Sequence, residues 1–154
     1  MKQNGYSMKN FLFFFIIPLS VFAQNKSFNI DYFNNLNDKE RSIIVDRGTE
    51  APFSGEYNNF FKKGYYICRA CEAPLYKSSS KFNSNCGWPS FDDEIENAII
   101  KKVDNSYNMQ RTEICCANCN GHLGHVFYGE KYTAKNTRHC VNSLSLKFIP
   151  DKKN

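Results

Sequence analysis

Two C-x-x-C pairs, Cys68/Cys71 and Cys116/Cys119, constrain what this chain can fold into more than any other feature of it. The two residues inside each pair let the backbone curl until both sulfurs point into one hollow, and two such hollows supply the four thiolates of a closed tetrahedral zinc site. The stretch between the pairs is longer than in a compact zinc ribbon, so the site would clip together two hairpins distant in sequence. Four cysteines without a histidine imply a structural zinc. Two disulfides or two dithiol redox motifs are the competing readings, opened by signs of export. There are seven cysteines in all, so Cys86, Cys115 and Cys140 are singles, and the odd total leaves at least one thiol unpaired in a monomer. Cys115 would point away from a metal held by Cys116 and reads as incidental.

The signs of export lie in residues 1–23. A short basic region ending at Lys9 leads into the apolar run Phe11–Ala23, which has the length of a signal-peptide core and falls short of the ~20 residues that span a bilayer. Cleavage after Ala23 is the expected processing, leaving an exported chain with no stable membrane association. Removing Lys2 and Lys9 lowers the basic side chains from 20 to 18 against 15 acids, a net charge of +3. That is too mild to argue for a nucleic-acid partner.

The remaining chain is long enough for one domain with a core. Residues 24–36 form a polar arm, 37–149 the domain and 150–154 a tail. Asn37, with Glu40 three residues on, predicts a capped helix from about Asp38 to Arg47, stopped by Gly48. Tyr65–Ile67 reads as a strand delivering the chain to Cys68, with Ala73–Tyr76 and His125–Tyr128 extended. Ile95–Val103 reads as strand or a helical turn. The expected fold is mainly β: short antiparallel strands, barrel-like or in two packed sheets, with a few short helices and the four-cysteine zinc knuckle.

Three further stretches carry chemistry. Cys86-Gly87-Trp88-Pro89 is a tight turn holding an indole near a thiol; the tryptophan is either core filling or, given the flanking Gly and Pro, a pocket wall. His122-Leu123-Gly124-His125 follows the second cysteine pair, and with no carboxylate at useful spacing for metal binding these imidazoles read as proton or hydrogen-bond donors. Arg138–Leu146 has a strand's alternation, with Cys140, Asn142, Leu144, Leu146 and Phe148 expected on one buried face. Cys140 is then a core residue, or a nucleophile whose thiolate is favoured by a basic neighbour.

In order and approximate spacing, Cys68-x-x-Cys71, Gly87–Phe91, Cys116-x-x-Cys119, His122–Phe127 and Arg138–Ser143 resemble the methionine-R-sulfoxide reductases of the B type, from about Leu36 to Phe148. The resemblance implies reduction of the R epimer of methionine sulfoxide in oxidised proteins or peptides. Cys140 corresponds to the nucleophile and Trp88 to the aromatic wall for the substrate methyl. His122, His125 and Asn142 correspond to the sulfoxide-oxygen side, with His125 the first choice as proton donor, and Arg138 to the basic residue beside the nucleophile. Cys86 matches the resolving position, which implies a Cys86–Cys140 disulfide reopened by a thioredoxin-like reductant. Asn85 departs from the family's usual glycine, and the loop Gly129–Thr137 from a more proline-rich one. A non-catalytic zinc-ribbon module is the alternative, but it leaves Cys140 and the tryptophan loop without a purpose. A general thiol-disulfide oxidoreductase would keep its dithiol in one short motif, unlike Cys86 and Cys140.

Overall fold

The computed structural model describes Met1 and residues 29–152. Apart from Met1, the expected export signal lies outside the described residues. Asn37 caps a helix α1, Asp38–Ile44: its side chain accepts from the Glu40 amide while the Glu40 carboxylate accepts from the Asn37 amide. The helix ends a turn earlier than expected. The chain reverses through Arg47 in the left-handed region, and the Gly48 amide reaches back to the Ser42 carbonyl, a bond that closes a helix and cannot extend it.

Among the described residues nine strands follow: β1 (Gly64–Cys68), β2 (Pro74–Lys77), β3 (Lys81–Phe82), β4 (Ser90–Phe91), β5 (Ile99–Asp104), β6 (Arg111–Cys116), β7 (His122–Tyr128), β8 (Thr137–Val141) and β9 (Leu146–Pro150). All pair antiparallel, in a three-stranded sheet β2-β1-β9 and a six-stranded sheet β3-β4-β8-β7-β6-β5. The expected mainly β domain of packed antiparallel sheets is what forms. Tyr66, Tyr76 and Phe91 fill the core between the sheets, Tyr76 stacked on Phe91 at 4.2 Å and Tyr66 edge-on to Phe91 at 5.0 Å. Such aromatic pairs add attraction beyond their buried area.

The two cysteine turns repeat one geometry. In each, the amide four residues after the first cysteine (Glu72, Asn120) bonds that cysteine's carbonyl, and that residue adopts a left-handed conformation. Each turn joins neighbouring strands, β1 to β2 and β6 to β7.

The run expected as one strand from Arg138 to Phe148 is two strands in different sheets. A 3-10 turn, Ser143–Ser145, carries the chain between them. The buried carboxylate of Glu50 accepts from the Ser143 and Leu144 amides at 2.8 and 2.6 Å, replacing the strand partners those amides would otherwise need. The burial in β8 also runs opposite to expectation around the thiol. His139 and Val141 are buried in the core, whereas Cys140 is only half-buried.

Candidate active site

Strand register assembles the site. β8 lies between β4 and β7, with Cys140 opposite Ser90 on one side and His125 on the other; His125 in turn lies opposite Glu113 of β6. Directly opposed residues share a sheet face, so Ser90, Cys140, His125 and Glu113 form one row. Gly124 lets β7 and β8 approach. It has φ +153°, and a Cβ there would sit 2.0 Å from the Cys140 carbonyl oxygen.

Cys86 reaches this row from the loop before β4, its Sγ 3.9 Å from that of Cys140, both thiols free. The Ser84 hydroxyl donates to the Cys86 sulfur at 3.0 Å and Arg138 Nη1 at 3.4 Å, and the Ser90 hydroxyl and the Cys140 thiol lie within hydrogen-bond distance of it at 3.6 and 3.9 Å. Hydrogen bonding, the contact with Cys140 first, holds the Cys86 pKa down to about 4. The same contact, together with desolvation, pushes the Cys140 thiol up. Arg138 is fixed by a two-pronged ion pair to Glu130 at 2.8 and 2.9 Å and by the face of Phe127 at 4.5 Å. It addresses Cys86 and is not among the residues lining the substrate-sized pocket described below. Asn85, in the position usual for glycine, is left-handed with φ 57°, a conformation asparagine tolerates better than most residues.

The two imidazoles do have carboxylate partners, supplied by strands distant in sequence. His122 Nδ1 lies 2.7 Å from Glu113 and His125 Nε2 lies 2.8 Å from Asp104. His122 is buried, and desolvation lowers its pKa against the opposing pull of Glu113. His125 is half-buried, its ring 5.6 Å from that of His122. Asp104, also bonded to the Ser106 amide and Arg111, is held far below the usual carboxylate range.

A pocket of about 120 Å³ opens over Cys140, walled by Trp88 and Phe127, with Thr49, Arg111, Gly124, His125 and Asn142 completing it. Trp88 is thus pocket wall. Its indole Nε1 donates to the Glu50 carbonyl at 3.1 Å, while the Glu50 amide donates to Asn142 Oδ1 at 3.0 Å. The amide nitrogen of Asn142 donates to the Leu123 carbonyl at 3.1 Å. One buried residue in a loop without strand pattern thereby ties the tryptophan, the asparagine and the turn after β8 together.

At the β1–β2 and β6–β7 turns, the sulfurs of Cys68, Cys71, Cys116 and Cys119 lie within 4.8 Å of one another, Cys68–Cys119 at 3.6 Å and Cys71–Cys116 at 3.5 Å. These separations match the ~3.8 Å edge of a tetrahedron with metal–sulfur bonds of about 2.3 Å. The four residues can hold a metal ion. Cys115 is buried and not part of that cluster.

The SelR domain model matches residues 36–150. The chain belongs to the SelR family. It is 46% identical over 125 residues to the peptide methionine sulfoxide reductase MsrB of Teredinibacter turnerae, covering 79% of this chain and 91% of that one. It is 53% identical over 116 residues to peptide methionine sulfoxide reductase B3 of Arabidopsis thaliana, and 50% identical over 117 residues to the chloroplastic B2 protein of that plant, each match covering 75% of this chain. The matches span 65% and 57% of those two plant proteins.

Within this family domain, the residues that sequence reasoning missed are Glu50, Asp104 and Glu113. Glu50 lies in a loop that carries no pattern. Asp104 and Glu113 meet the histidines only through pairing between strands. A register shift between Ile114 and Cys115 brings Glu113 opposite His125; continued from the Cys115–His122 pair without it, the ladder would set Glu113 against Gly124.

Proposed function

We propose that this chain reduces the R epimer of methionine sulfoxide in peptides and proteins, repairing oxidised methionine with Cys140 as nucleophile. One observation carries the reading: a thiol at a small aromatic-walled pocket with a second thiol 3.9 Å from its sulfur. A non-catalytic zinc module would leave that sulfur pair without a purpose.

The pocket suits a methylsulfinyl group, with Trp88 against the methyl, a contact that thioether-type groups favour. Sulfoxide sulfur becomes electrophilic when its oxygen is protonated. His125, oriented by Asp104, supplies that proton, and His122 and Asn142 line the oxygen's side. As Cys140 attacks the sulfoxide sulfur, its own proton passes to Cys86, the neighbouring sulfur 3.9 Å away. The S–S bond so formed and the S–O bond of the methionine then break as the hydroxyl passes to the Cys140 sulfur, so methionine leaves with its lone pair restored and Cys140 is left as the sulfenic acid. The Cys86 sulfur then displaces that oxygen as water, forming the Cys86–Cys140 disulfide. A thioredoxin-like dithiol reduces the disulfide and is itself oxidised. The cysteine cluster holds one structural Zn²⁺ through Cys68, Cys71, Cys116 and Cys119, and no step passes through it. Residues 1–23 export the chain, so the repair takes place outside the cytoplasm; a purified native protein that retained residues 1–23 would overturn this.

Dithiothreitol-driven reduction of a racemic methionine sulfoxide peptide tests the reading. One epimer is consumed and Cys140→Ser abolishes the reaction, while His125→Ala lowers the rate roughly 100-fold, the scale of one general acid. Consumption of both epimers, or a fully active Cys140→Ser, would overturn it.

A further inference from the structure

We propose that Arg111 is a positioning residue for the reduction: it clamps the Asp104 oxygen to which His125 is tied, so that the imidazole keeps its other nitrogen for the substrate. This rests on the reductase reading above, with His125 as proton donor. Asp104 and Arg111 are directly opposed at the end of the β5–β6 ladder, and Glu113, two residues on, opposes His125 of β7. Alternation along β6 puts Arg111 and Glu113 on one face, so all four side chains stand together. Yet His125 does not bond the carboxylate directly opposite it. Glu113 is already engaged, Oε1 with His122 Nδ1 at 2.7 Å and Oε2 with Arg47 at 3.1 Å. His125 reaches past it to β5, and its Nε2 donates to Asp104 Oδ2 at 2.8 Å. With Nε2 committed, Nδ1 is the nitrogen left to address the sulfoxide oxygen.

Asp104 can orient the ring only if its own carboxylate is held. Oδ1 accepts from the Ser106 amide at 2.9 Å, and Oδ2, the oxygen that His125 uses, also accepts from Arg111 Nη2 at 2.8 Å. The same Nη2 donates to the Ser106 hydroxyl at 3.2 Å. Residues 104, 106 and 111 thus close a ring below the hairpin tip, where Tyr107 and Asn108 both lie in the left-handed region. Arg111 lines the Cys140 pocket beside His125, but both protons of its Nη2 are engaged, which favours action through the imidazole over direct contact with the substrate. In the step itself, His125 as the imidazolium gives its Nδ1 proton to the sulfoxide oxygen and stays bonded to Asp104 through Nε2–H. No proton moves at Arg111, whose charge is the same before and after.

The test is a double-mutant cycle on the single-turnover rate of methionine sulfoxide peptide reduction at saturating peptide, with Arg111→Met, His125→Ala and the two combined. Arg111→Met is expected to lower the wild-type rate roughly 20-fold, since displacing a positioned group by about 1 Å costs up to about 100-fold. Arg111→Lys keeps a cation on the carboxylate and loses no more than about threefold. In the His125→Ala background, Arg111→Met costs less than about twofold, because the group it positions is gone. An arginine that served structure alone, or that touched the substrate itself, would lower the rate by the same factor in both backgrounds. Arg111→Gln, too short to bridge Asp104 and Ser106, is carried through the same cycle, so that the result stands where Arg111→Met does not fold. Equal losses in the two backgrounds, a rate unmoved by loss of the guanidinium, or Arg111→Lys as slow as Arg111→Met would overturn the inference and leave the reductase reading intact. His125→Ala at the full rate would overturn the inference together with the role of His125 as donor. A wild-type chain that reduces no methionine sulfoxide would overturn the reductase reading itself.

Discussion

At the scale of single residues, the two sulfurs differ in their surroundings: Arg138 and the Ser84 hydroxyl donate to Cys86, whose pKa is held down, while Cys140 is pushed up by the contact with Cys86 and by burial. Cys86→Ser removes the contact that raises Cys140 most and leaves burial, which disfavours the Cys140 thiolate, opposed by the charge of Arg138, which favours it. The variant is expected to yield close to one methionine per chain in a single-turnover experiment and to stall with thioredoxin as reductant. Unchanged steady-state recycling would refute the resolving role. His139, behind Cys140 in the core and in contact with the Tyr76 hydroxyl at 3.1 Å, makes stability depend on pH. Burial pushes its pKa from 6.5 down to about 4. Between those values the unfolded chain binds more protons than the folded one, so the contribution is whole above pH 6.5 and is lost as pH falls toward 4. It amounts to something on the order of 3 kcal/mol. Urea midpoints are expected to fall across that window, and less steeply for His139→Gln; an equal slope would exclude His139 as the cause.

At the scale of elements, the site depends on the junction of β8 with the turn that follows it. Glu50→Ala leaves the Ser143 and Leu144 amides without their acceptor in a buried setting. Unsatisfied buried groups of this kind cost about 1–3 kcal/mol each. The variant is expected to lose roughly that amount in chemical unfolding and to raise the KM for the sulfoxide, since the same loop anchors Trp88 and Asn142. Stability equal to wild type would show that water replaces the carboxylate. This junction was not legible in advance. The alternation from Cys140 to Phe148 is continuous in the sequence, and nothing within those residues reveals that a distant glutamate ends one strand and starts another.

At the scale of the whole molecule, the cysteine cluster joins the β1–β2 turn of the three-stranded sheet to the β6–β7 turn of the six-stranded one. A metal there closes a long loop and ties together the two sheets whose facing aromatics form the core. Metal analysis is expected to give one zinc per chain, and Cys71→Ser to lower the melting temperature by more than about 10 °C, as loss of several kcal/mol does in a domain of this size. A fully oxidised, metal-free protein of wild-type stability would reject the zinc assignment.

The sequence alone determined what depends on neighbours along the chain. The Asn37–Glu40 cap, the two C-x-x-C turns, the Gly87–Pro89 corner and the family motifs are all local, because each is a short-range hydrogen-bond or steric pattern. Tertiary structure alone decided which groups face the chemistry. Asp104 and Glu113 reach their histidines through pairing between strands. Glu50 reaches Asn142 across 92 positions, whereas the meeting of Cys86 with Cys140 across 54 was implied by the resemblance. Pairing between strands is set by packing and register over the whole sheet, and no local pattern of residues encodes it.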